Sequence, residues 1–153
     1  MGHQHTGMRK PIPFFIFFAF LFSHGWENDL ATAKQKAKQE HKLILLEFSG
    51  SDWCGPCIRL HKEIFETAVF KKFSDSSLVL LNADFPRLKK NKLSIEQQKK
   101  NDNLADEYNP DGIFPRTLLL AADGKVIRTW DGYPGLTVEQ FINQIKDPPD
   151  ASR

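Results

Sequence analysis

The sequence predicts an α/β domain in which a mixed central β-sheet carries helices on both faces. Three observations lead there. Leu43–Phe48 and Leu78–Asp84 are short, nearly continuous apolar runs, the pattern of strands buried on both faces. Segments of helical periodicity alternate with these runs. Further on, Thr117–Ala121 and Val126–Trp130 flank Asp123-Gly124, a strong β-hairpin signal with room for a loop longer than two residues. Alternation followed by an antiparallel hairpin requires a sheet of mixed direction.

The elements follow in order. Glu27–Lys42 is rich in Ala, Lys and Gln, with Asn28 or Asp29 as a cap and Leu30, Ala33 and Ala37 on a weakly apolar face. After the first strand and the loop Ser49–Trp53, a helix is predicted from Cys54 or Gly55. Its apolar positions are Ile58, Leu60, Ile64, Phe65, Ala68 and Val69, and Pro56 sits in the first turn, where a missing N–H does no harm. Pro86 ends the second strand, and Arg87–Lys92 reads as an exposed polar loop. Ser94-Ile95-Glu96-Gln97 has the spacing of a capping box, opening a helix to about Tyr108, and Asn109-Pro110-Asp111-Gly112 is a turn. A second capping box, Thr137-Val138-Glu139-Gln140, starts a last helix with Val138, Phe141, Ile142 and Ile145 on one face, stopped by Pro148-Pro149. Trp130 and Tyr133 read as packing residues near the sheet edge.

The chain has 153 residues, room for one domain and one core. Its 41% hydrophobic and 26% charged residues are those of an ordinary folded protein, and a net charge of +2 gives no basis for nucleic acid or an anionic membrane as partner. Residues 1–25 are read apart from the fold. Arg9 and Lys10 precede the apolar run Pro11–Phe22, and Ser23 and Gly25 put small residues where a signal peptidase reads, so cleavage is expected before Trp26. The run is shorter than the roughly 20 residues of a spanning helix. An uncleaved anchor formed by residues 11–22 is the alternative. Met8 offers a second start, and His3 and His5 read as tail residues rather than metal ligands. The folded domain is then 26–147, with 148–153 a tail.

The only two cysteines sit three apart, in Trp53-Cys54-Gly55-Pro56-Cys57, between a buried strand and a helix start. Unpaired N–H groups at a helix N-terminus favour thiolate over thiol. A cysteine near its ordinary pKa of about 8.5 is a few per cent ionised at pH 7, and one near 7 about half ionised. Cys54, at the exposed beginning of the helix, is the expected nucleophile. Cys57, one turn inside, is placed to attack a mixed disulfide and release product, and Gly55-Pro56 makes a rigid spacer.

These residues, with Phe48 before them and Gly112-Ile113-Phe114-Pro115, the Asp123-Gly124 hairpin and the terminal helix after them, resemble the thioredoxin family over most of Glu27–Lys146. Ser49–Trp53 is similar to the loop of exported bacterial members. The resemblance implies a thioredoxin-like fold and thiol–disulfide exchange with protein substrates, without metal or organic cofactor. It implies a cis peptide at Pro115, leaving the backbone of Phe114 to pair with an extended substrate segment. It implies a buried acid at Glu47 that shuttles a proton for Cys57, if one residue is inserted in the loop that follows. Trp53 would shape the docking surface. Arg116 stands where the family commonly has threonine, and an arginine there would favour acidic substrates or hold Cys54 as thiolate. No lysine stands at Leu80 or Leu81, where thioredoxin carries one near its acid, and Arg87–Lys92 with Lys99 and Lys100 is longer than in a minimal thioredoxin.

Other readings stand beside these. The cysteines could form a structural disulfide, although so small a loop stabilises weakly. Cys54, Cys57 and His61 could be a copper or zinc site, although a lone helical histidine is more often surface or core. Glu47 could be a partly exposed strand-end carboxylate, and Pro115 an ordinary trans turn proline. The Gly-Pro spacer resembles reducing members of the family, so the expected function is an exported, periplasmic or secreted, disulfide reductase recharged by a membrane-embedded electron donor. A disulfide oxidase or isomerase, a maturation factor dedicated to one client, and a metal-binding module are the alternatives.

Overall fold

The structure, a computed structural model, describes residues 25–148. The expected export signal over residues 1–25 lies outside the described residues except for Gly25, and so does the tail 148–153 except for Pro148. No helix among the described residues is long and apolar enough to cross a membrane.

Strand β1 (Leu43–Ser49) organises the domain. It pairs in parallel with β2 (Leu78–Asp84) and antiparallel with β3 (Arg116–Leu120), which in turn pairs with β4 (Val126–Asp131), giving the order β2-β1-β3-β4. Alternation along β1 splits the core in two. Ile44, Leu46 and Phe48 face α1 (Leu30–Glu40) and α4 (Ile95–Tyr108), meeting Ala33, Ala37, Leu104 and Tyr108. Leu45 faces the other side, where Leu60, Ile64, Phe70 and Phe141 pack from α2 (Gly55–Leu60), the turn after it, α3 (Ala68–Ser77) and α5 (Val138–Lys146). The expected mixed sheet with helices on both faces is therefore the observed one.

Caps and turns follow the chemistry of their residues. Asp29 caps α1, and Thr137 with Gln140 forms a full capping box on α5. At α4, Ser94 accepts from Gln97 N, but the Gln97 side chain turns away to the Asn28 carbonyl and Asn101, so half of that box is absent. The hairpin loop is longer than two residues, with Ala121 N donating to Lys125 O. Gly124 has φ +96, and a Cβ there would lie 2.9 Å from the Tyr108 hydroxyl, which itself donates to Gly124 O.

Three details depart from the pattern read in the sequence. Glu27 is not helical. Its N–H donates to Leu80 O and its carbonyl accepts from Asn82 N, so residues before α1 cover the outer edge of β2. The single helix expected from Cys54 through Val69 is two. After α2 the coil widens into a π turn, His61–Phe65, stops at Glu66, and restarts at Thr67, whose side chain accepts from Phe70 N. The buried stripe is Cys57, Leu60 and Ile64, leaving Ile58 and Val69 half exposed on the outer face. The break needs a cap, because each helix start leaves donors without intrahelical partners. Thr67→Ala is expected to cost about 1 kcal/mol, read as a lower urea midpoint at unchanged slope. A midpoint equal to that of the parent protein would show that Thr67 is not the cap that matters.

Candidate active site

The site is built where β1 ends and α2 begins. Ser49 and Ser51 fasten the loop between them to Asp84 at the end of β2, Ser51 through both its N–H and its hydroxyl. Cys54 N donates to Gly50 O, folding the loop back on itself. Gly50 lies under the indole of Trp53, where a Cβ would be 2.3 Å from the ring. Trp53 Nε1 donates to Phe85 O at 2.7 Å, and its ring meets Phe114 edge-on, with centroids 5.5 Å apart.

Cys54 is the N-cap of α2, its Sγ 3.3 Å from Cys57 N, and it is joined to Cys57 in a disulfide with Cα atoms 5.2 Å apart. Gly55 and Pro56, the spacer, are exposed. Cys57 is fully buried, while Cys54 keeps 4% of its surface. Cys54 is thus the more accessible of the two, though more enclosed than the exposed position expected of it. The Phe114–Pro115 peptide is cis, and Pro115 is buried at the head of β3. Phe114 also packs on Phe85, so the aromatic set Trp53, Phe114 and Phe85 links the two loops.

Arg116 is not a free cation beside this site. Its guanidinium donates to Asp131 on β4, to the Tyr108 carbonyl and to Asn109 Oδ1, behind the Pro115 turn. The arginine that does reach the active-site surface is Arg87, whose guanidinium lies 3.6 Å over the Trp53 ring. Asp52 holds that loop in place, accepting from Arg87 N, Leu88 N and Asn91 Nδ2. The Arg87 backbone N–H in particular keeps the Asp52 carboxyl below its usual range.

Glu47 is fully buried, so it is not a partly exposed strand-end carboxylate. It follows Leu45 on the same face of β1, beneath α2. Its Oε2 lies 2.6 Å from His61 Nε2, and its Oε1 has no hydrogen-bond partner. Burial raises the Glu47 carboxyl above the ordinary carboxylate range, against the opposing hydrogen bond and charge of His61. Burial alone would lower His61, but the hydrogen bond and charge of Glu47, with Glu66 and Asp84, raise it. The sequence offered one signal for this pair. His61 is four residues after Cys57, one turn along the same helix face.

A cysteine pair closing the head of a helix, against a cis-proline turn and on a sheet of this order, defines a thioredoxin-like protein. A family model described as thioredoxin-like matches residues 25–122, and the chain belongs to that family. It is 38% identical over 110 residues to disulfide bond reductase DsbH of Chlamydia pneumoniae, a match covering 72% of this chain. It is 34% identical over 73 residues to the thioredoxin-related protein DsbJ of the same organism, covering 48% of this chain. The chain spans 64% of the length of the first relative and 21% of the second. A solved structure described as DsbH oxidoreductase superposes with a TM-score of 0.70 at 33% identity, covering 94% of this chain and 93% of that one.

Proposed function

We propose that the protein is an exported thiol–disulfide oxidoreductase that reduces disulfides in protein substrates through Cys54 and Cys57. The carrying observation is the Cys54–Cys57 disulfide at the head of α2, with Cys54 the more accessible residue of the two and a buried acid on the strand beneath. The name of the relative DsbH, a disulfide bond reductase, supports the direction.

In the reducing direction the dithiol form acts. The Cys54 thiolate attacks one substrate sulfur, the substrate S–S bond breaks, and the departing thiolate takes a proton from water. Cys57 then gives its thiol proton to Glu47 and attacks the Cys54 sulfur. The Cys54–Cys57 bond forms, the mixed disulfide breaks, and the second substrate thiolate leaves. Two electrons pass from enzyme to substrate, and no metal or organic cofactor enters. Trp53, Gly55, Pro56, Phe114 and Pro115 form the docking face, on which an extended substrate segment pairs with the Phe114 backbone. Arg116 supports that face from behind through Asp131, and Arg87 supplies its positive charge. The site of action is the periplasm or the outside of the cell, through residues 1–25 as a signal, or with residues 11–22 retained as an anchor. There the disulfide must be reduced again after each turnover, which calls for a membrane-embedded electron donor.

Equilibration with a thiol–disulfide buffer tests the direction. A reductase of this kind is expected near −270 mV, against roughly −120 mV for a strong oxidant, a gap of about 7 kcal/mol for two electrons. A potential above about −180 mV would overturn the reductase assignment in favour of an oxidase or isomerase, which a scrambled-disulfide substrate would then separate.

A further inference from the structure

The buried acid has one link toward solvent. Glu47 is wholly enclosed, and a carboxyl that takes a proton from Cys57 at each turnover must also lose it at each turnover. Its Oε1 has no partner, and its Oε2 is bonded to His61 Nε2 at 2.6 Å. The His61 side chain keeps 27% of its surface while that of Glu47 keeps none. Trp26 and Phe65 wall the imidazole, with ring centroids 5.6 and 5.3 Å away. Cys57 lies one helical turn before His61, and His61 N–H donates to the Cys57 carbonyl. Cys57 and His61 are thus successive turns of one helix above the strand that carries Glu47, and His61 reaches from that carboxyl toward the surface.

We infer that His61 is a positioning residue with a second duty: it fixes Glu47 through Oε2, leaving Oε1 to receive the Cys57 proton, and then carries that proton to solvent. The inference rests on the Glu47 reading above. The balance is simple. The Cys57 S–H bond breaks and Glu47 is protonated. The protonated carboxyl turns so that its O–H faces the imidazole, and neutral His61, with its proton on Nδ1, accepts that proton at Nε2 and becomes imidazolium. Nδ1–H releases to water, Nε2–H then holds the regenerated carboxylate, and tautomer exchange through solvent returns the proton to Nδ1 for the next turnover. Reduction of the disulfide runs the same path in reverse. The charged groups acting on the imidazole are Glu47 from β1, Asp84 from β2 and Glu66 at the end of the π turn, all of which favour the transient imidazolium.

The test uses the full reduced chain mixed in stopped flow with excess of an aromatic disulfide whose thiolate absorbs. The first absorbance phase reports attack by Cys54, the second resolution by Cys57. His61→Gln keeps a hydrogen bond to Glu47 but cannot take up a proton, and His61→Phe keeps the plug but neither function. Both are expected to slow the second phase about tenfold or more at pH 7, with the gap closing toward pH 9 as hydroxide removes the proton instead. If His61→Gln resolves at the parent rate, His61 only positions and the relay is wrong. Near-ultraviolet circular dichroism checks both folds, and His61→Gln, a polar change at a partly exposed position, decides alone if His61→Phe does not fold. Glu47→Gln separates the two readings. An unchanged second phase in that variant overturns the acid itself, whereas slowing there with none in His61→Gln overturns only the relay.

Discussion

Replacing Cys57 with serine is expected to turn the protein from a catalyst into a trap. Cys54 remains the N-cap of α2 and is the more accessible residue of the pair, so it still attacks a substrate disulfide. The second step then has no thiol. A serine hydroxyl at a fully buried position cannot ionise near neutral pH and does not displace a thiolate, so the mixed disulfide persists. Multiple-turnover reduction of a protein disulfide should fall on the order of a thousandfold, because the two cysteines act as a unit. Non-reducing electrophoresis should show adducts that dissolve on reduction, and their mass spectra should name the clients. Cys54→Ser should give neither turnover nor adducts. A Cys57→Ser protein that keeps a tenth of parental turnover would place resolution elsewhere, and one that forms adducts only with small thiols would remove proteins as the substrate class.

The cysteine motif was legible because its meaning is local: strand, loop, helix start and spacer are all within fifteen residues. The burial of Glu47 was open in the sequence: the thioredoxin resemblance implied a buried acid there, a partly exposed strand-end carboxylate stood beside it, and only the packing of α2 over β1 encloses the side chain. What the sequence could not display are contacts closed over distance. Asp52 is 35 positions from Arg87, and nothing near either residue announces that the polar loop folds onto Trp53. Arg116 looked like a free cation because Asp131, its partner across β3 and β4, is 15 positions away. The π turn was hidden for another reason. It preserves the apolar positions Ile64 and Phe65 while changing the winding between them, and a periodicity count averages over that change. His61 was visible as a helical neighbour of Cys57, but its partner on β1 is supplied only by the fold.

Glu47→Gln should make the oxidised protein more stable and its resolving step slower, and the sign of the pH dependence distinguishes this from simple repacking. Glu47 titrates above its ordinary 4.5 in the fold because burial disfavours the carboxylate. The folded state therefore holds that proton more tightly than the unfolded chain does. By linkage its contribution is fully present below the ordinary carboxylate range and is lost as pH rises through the folded value. His61, also raised, acts in the same direction, with its contribution present below about 6.5 and lost above it. Melting temperature should therefore fall as pH increases from about 5 to 8 in the parent protein. Glutamine removes the carboxylate and with it the partner that raises His61, so the variant's curve should be flatter. At pH 8 the variant should melt at the higher temperature, because glutamine fills the same volume and leaves no carboxylate to be held out of water. At the same pH the second phase of disulfide reduction should slow by about tenfold to a hundredfold, since the acceptor for the Cys57 proton is gone. Parallel melting curves for the two proteins would mean that Glu47 is ionised at no cost in the fold, which its enclosure and its unpartnered Oε1 do not allow. A gain in stability with no loss in the resolving rate would mean that the buried carboxyl serves no proton transfer, and the thiol of Cys57 would then have to lose its proton by another route.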